Sequence, residues 1–65
     1  MDNLGTQIKL RRKALKLNQQ ELANLANLSI NTIVAIEKGT GNPRLSTILT
    51  ICDILGLQLS TQLKN

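Results

Sequence analysis

Hydrophobic positions recur at helical spacing through most of the chain and change period near its end. Leu4, Ile8, Arg11 or Arg12, and Leu15 form one stripe, with the other basic residues on the remaining faces. Met1 to Asn3 can start this first helix, and Lys13 and Lys16 near its end suit the macrodipole. Asn18 is then a natural N-cap, and Glu21 completes a capping-box-like arrangement. Leu22, Leu25 and Ala26 make a short apolar stripe, and the small Ala23 permits close approach of another helix. Asn27-Leu28 breaks the pattern. Ser29 opens a further helix, Ile30 to Lys38, with Ile33 and Ile36 inward and Gly39 as its stop. After the loop Gly39-Thr40-Gly41-Asn42-Pro43, the positions Leu45, Ile48, Leu49, Cys52 and Leu55 predict a fourth helix ending at Gly56.

Sixty-five residues make one small domain at most. Its core must come from 13 Leu and 7 Ile, because Phe, Tyr and Trp are absent. Stacking of bases on aromatic rings is thereby excluded. The absence of His excludes imidazole zinc sites and His-based acid–base chemistry. Glu21 and Asp53 have no nucleophile, His or metal partner in prospect, so no enzyme, catalytic residue, metal, cofactor or small-molecule substrate is expected. Cys52 is the lone cysteine, in register with the apolar positions of helix four, which predicts inert core packing and fits a reducing compartment. The longest apolar run, Ile33-Val34-Ala35-Ile36, is far short of the roughly 20 residues of a membrane span. The first residues also lack a signal pattern. A cytoplasmic protein is the expectation.

The formal charge is +4 and the sequence pI about 9.9, the electrostatic footprint of a polyanion binder. A small excess of charge can also serve solubility alone. Five of the eight cations lie between Lys9 and Lys16. A basic amphipathic helix could rest on an anionic membrane, but here only Leu10 adds bulk to the outer face and no aromatic anchors it. Two short helices joined by a tight turn, with a small residue inside the first, are instead a helix-turn-helix pattern.

The ordered set Leu4-Gly5-x-x-Ile8-x-x-x-Arg12, Leu17-x-Gln19-x-x-Leu22-Ala23, Ser29-x-x-Thr32-Ile33-x-x-Ile36-Glu37-x-Gly39, Asn42-Pro43 and Leu49-x-Ile51-Cys52-x-x-Leu55-Gly56 resembles the Cro/CI-type (XRE-like) helix-turn-helix family. The resemblance covers about residues 4 to 56. It implies an all-α, compact four-helix, lambda-repressor-like domain over residues 1–56 that binds double-stranded operator DNA as a two-fold homodimer. Residues 57–65 are left as a dimerisation strand and tail.

The site residues follow from the residues and the resemblance together. Gln19 and Gln20, in the first turn of the second helix, suit a phosphate contact beside free backbone N–H groups. With Ile33 and Ile36 inward, the base-reading face of the third helix is Ile30, Asn31, Val34 and Ala35, with Thr32 on the flank. Asn31 can pair bidentately with adenine, and the apolar side chains and the Thr32 methyl can pack on thymine methyls. The competing reading for Ile30 and Val34 is additional core or a hydrophobic staple. Positions matching Ile30 and Ala35 are often long and polar in the family, so this face departs from its relatives. Specificity through DNA shape or half-site spacing would then carry more. Ser29, Lys38, Thr40, Asn42 and Arg44 are further phosphate candidates, against a role as solvated loop residues. The resemblance pairs Arg12 with Glu37 as a structural link between the first and third helices.

The last segment alternates, Leu57, Leu59, Thr61 and Leu63 against Gln58, Ser60, Gln62 and Lys64, which predicts a strand. A fifth helix competes, since Leu55, Leu59 and Leu63 are spaced by four. A lone strand needs a partner, and the same segment of a second copy would supply one as an intermolecular ribbon. That ending resembles the HipB-like antitoxin branch, which implies a HipA-like kinase toxin as partner and an autoregulated operon. A stand-alone phage or chromosomal repressor is the competing reading. A third is a protein-interaction module that holds a toxin with little DNA binding.

Overall fold

The computed structural model describes residues 3–57, which form α1 (Leu4–Ala14), α2 (Gln19–Ala26), α3 (Ile30–Lys38) and α4 (Leu45–Leu55). Three of the four starts are capped by side chains the sequence marks. Asn3 Oδ1 accepts from Thr6 N at 2.8 Å, and Ser29 Oγ accepts from Thr32 N at 3.3 Å. Asn18 forms the full capping box, accepting from Glu21 N at 2.7 Å while its own N–H donates to Glu21 Oε1 at 2.8 Å.

All four helices end in the same way. Lys16, Asn27, Gly39 and Gly56 take left-handed conformations, with φ of 61°, 58°, 78° and 70°. The next residue in each case donates back across the final turn: Leu17 to the Arg12 carbonyl, Leu28 to Ala23, Thr40 to Ala35 and Leu57 to Cys52. Leu17, Leu28 and Leu57 also tuck against the core, the hydrophobic contact that accompanies this motif. Each reversal is therefore fixed by a backbone bond, joined by a leucine at the ends of α1, α2 and α4.

The core is Ile8, Leu22, Ala23, Ala26, Ile33, Ile36, Ile48, Ile51, Cys52 and Leu55. α3 packs on α1 and α2, and α4 closes against the same two helices. Four leucines expected inside lie outside. Leu15 is exposed because α1 has already ended at Ala14, so the stripe outruns its helix. Leu25 is exposed because Ala23 and Ala26 turn the buried arc of α2 away from it. Leu45 and Leu49 are 68% and 48% exposed, and Ile51 is buried in their stead. At about 100° per residue, Ile48, Ile51, Cys52 and Leu55 centre the buried arc of α4, and Leu49 falls well off it.

Among the described residues there is no strand. Leu57, expected to begin one, instead closes the cap of α4. The remaining ribbon positions, Leu59, Thr61 and Leu63, lie outside the described residues. Among the described residues, no helix is long and apolar enough to cross a membrane.

Candidate nucleic-acid interface

Three helices meet at one buried ion pair. Arg12, two turns into α1, donates from Nε to Glu37 Oε2 at 2.6 Å and from Nη2 to Glu37 Oε1 at 3.1 Å. Its remaining terminal nitrogen, Nη1, donates to the Leu17 carbonyl at 2.6 Å. Both side chains are almost wholly buried, and no buried polar atom of either lacks a hydrogen-bond partner. The hydrogen bond that the guanidinium donates to Glu37 holds it above its ordinary pKa, outweighing a burial that acts the other way. A bidentate pair of this kind fixes angle as well as distance. Glu37 sits in the last turn of α3, so the pair sets that helix against α1.

Gln19 joins the cluster from the first residue of α2. Its Nε2 donates to Glu37 Oε1 at 3.1 Å, leaving the side chain half-buried. Gln20 points elsewhere, donating to Asn24 Oδ1 at 2.9 Å on the exposed face of α2. The sequence suggested Gln19 as a surface group and Arg12–Glu37 as a separate pair; the structure joins all three.

Along α3, Ile30 and Asn31 are exposed, while Thr32, Val34 and Ala35 are half-buried. Asn31, Thr32 and Ala35 share an open groove with Thr40, Asn42 and Pro43, so the helix face and the following loop come together. Gly41, at φ 77°, brings its backbone beside the Ala35 side chain. Thr40 Oγ1 donates to the Ala35 carbonyl at 3.3 Å, and the Ser29 and Thr32 hydroxyls lie 3.1 Å apart. Ser29 and Thr40 thus have roles in capping α3. Lys38, Asn42 and Arg44 are exposed, and Arg12–Glu37 is the only ion pair among the described residues.

Two residues escaped the sequence reading. Gly5 lies against α3, where a Cβ would collide with the Ile36 carbonyl oxygen and approach that of Glu37 to 2.9 Å. The signal was a glycine in the first turn of a helix, which costs about 1 kcal/mol relative to Ala without a packing reason. Arg11 does not belong with the free cations, because its Nε donates to the Leu55 carbonyl at 2.8 Å. It closes the last turn of α4, where a cation meets the negative end of the helix.

A family model described as helix-turn-helix matches residues 8–62. The chain belongs to the Cro/CI-type helix-turn-helix family. The chain is also 44% identical over 57 residues to the immunity repressor protein of Bacillus phage phi105, an alignment covering 88% of this chain and 40% of that protein. The chain therefore spans well under half the length of that relative. In the Cro/CI arrangement α2 and α3 are the helix-turn-helix pair, joined by Asn27, Leu28 and Ser29, and Ile30 and Asn31 stand at the exposed start of its second helix.

Proposed function

We propose that this chain binds double-stranded operator DNA sequence-specifically and represses transcription, acting as a homodimer. The observation that carries the reading is the start of α3, which presents Ile30 and Asn31 to solvent while its far end is clamped through Glu37 to α1 and α2. A helix that must enter a major groove needs this combination of exposed tip and fixed base. Asn31 has the donor and acceptor for adenine, Ile30 and Val34 offer apolar contact to thymine methyls, and Gln19, Lys38, Asn42 and Arg44 flank as phosphate contacts. The phage phi105 relative is named as a repressor, which supports the stand-alone reading. An antitoxin role would lean on residues 57–63, of which only Leu57 is described, as part of a helix cap.

The test is selection from a duplex pool with a randomised central segment. Enrichment of a two-fold motif, with affinity falling steeply as salt rises, is the expected outcome. Retention of the pool without enrichment would leave only non-specific binding. No retention at low salt would overturn the reading in favour of a protein-interaction module.

A further inference from the structure

Gln19 and Glu37 sit at opposite ends of the helix-turn-helix pair, yet they share a hydrogen bond. We propose that Glu37 is a positioning residue for the phosphate contact of Gln19, holding that side chain in its DNA-competent orientation before DNA arrives. The proposal rests on the DNA-binding reading above.

The chemistry of the pair fixes the amide. A carboxylate engaged by a guanidinium only accepts, so the nitrogen of Gln19 must face it. One N–H of Nε2 then goes to Glu37 Oε1, and the second N–H remains for a ligand. Glu37 cannot swing away, because Arg12 grips both of its oxygens and is itself anchored to the Leu17 carbonyl. That carbonyl lies two residues before Gln19, so one network holds both the amide and the backbone that carries it. Glu37 is buried and Gln19 half-buried, which puts the inward N–H on the protein and leaves an outer part of the side chain in solvent. A glutamine without such a partner samples many rotamers, and ordering it on binding would weaken affinity by about tenfold.

The contact is neutral. Its loss should lower affinity without changing the slope of log K against log salt, unlike loss of a lysine. The test compares four proteins on a duplex selected from the random pool: the parent, Gln19→Ala, Arg12→Met with Glu37→Leu, and all three changes together. The paired change removes one charge of each sign and replaces a buried pair by apolar groups of similar size, which folds commonly tolerate. Thermal melting checks that it folds. The paired change should reduce affinity about as much as Gln19→Ala, roughly five- to tenfold, at unchanged salt slope. Adding Gln19→Ala to it should then cost nothing more. Equal losses from Gln19→Ala in both backgrounds would overturn the positioning role while leaving DNA binding intact. Should the paired variant not fold, the side-chain amide of Gln19 in the parent decides by NMR. Hydrogen exchange slower than in a free glutamine amide supports the bond, and exchange at the rate of a free glutamine overturns it. A parent that binds no duplex overturns the DNA reading and this inference together, whereas the amide measurement still reports whether Glu37 holds Gln19.

Discussion

Gly5 and Ile36 are packed backbone to backbone, with no room for a methyl group between α1 and the end of α3. The contact lies one residue from Glu37, so the approach of the two helices and the Arg12–Glu37 pair depend on the same separation. Gly5→Ala would improve helix propensity by about 1 kcal/mol yet force the helices apart. The net expectation is a destabilisation of about 3 kcal/mol, read as a lowered urea midpoint. A variant as stable as the parent would mean that α1 shifts at no cost, and the α1–α3 spacing would not be fixed by this glycine.

The helices were legible because local signals and periodicity agreed. Asn18, Glu21, Ser29, Gly39 and Gly56 mark ends that the structure reproduces. The side of each helix that faces inward was harder. Leu25, Leu45 and Leu49 are apolar residues outside the core, whereas Arg12 and Glu37 are charged residues inside it. Hydrophobicity alone cannot rank such positions, since exposed leucines are ordinary and a buried ion pair is allowed only where every polar atom finds a partner. The pairing of Arg12 with Glu37 came from the family resemblance. The bond from Gln19 to Glu37 spans two helices and has no local signal at all. The left-handed turn at Lys16 was equally hidden, because that conformation usually selects Gly or Asn.

Cys52 should behave as part of the core. It is 2% exposed, and burial pushes its thiol above the ordinary value of 9.0. The thiolate is the reactive species, so an alkylating reagent at neutral pH should label the folded protein only as fast as it opens. The same shift makes a pH prediction. The protonated thiol is favoured in the folded state, so its contribution to stability is complete below 9.0 and is lost as pH rises through the folded value. Stability measured across that range should fall less steeply for Cys52→Ala than for the parent. Identical slopes would show that the thiol ionises as readily folded as unfolded.

Asn31 is the hydrogen-bonding residue on the exposed start of α3 and should carry base discrimination there. Asn31→Ala is expected to lose about 1–3 kcal/mol of preference at a single base pair per half-site, with other positions unaffected. Competition binding with single-base variants of the selected duplex measures this. Uniform weakening across all variants would place Asn31 on the phosphate backbone and move base readout to the groove formed with Thr40 and Asn42.

Arg11 and Arg44 divide the basic residues into two kinds. Arg11 donates to the Leu55 carbonyl at the negative end of α4, a placement that stabilises the fold. Arg44 stands at the opposite, positive end of the same helix and makes no side-chain capping bond there. A cation in that position works against the helix dipole, and local conflict of this sort is expected where function requires it. Arg44→Gln should therefore leave stability unchanged or raise it by a few tenths of a kcal/mol. At the same time it should reduce the slope of log K against log salt by about 0.9 for the phosphate no longer neutralised. Arg11→Gln should do the reverse, lowering stability by about 1 kcal/mol with a smaller change in salt slope. Urea unfolding of both variants beside salt titrations of DNA affinity separates the two roles. If Arg44→Gln lost stability and kept the parental slope, Arg44 would be a structural residue and the loop after α3 would lie away from the DNA.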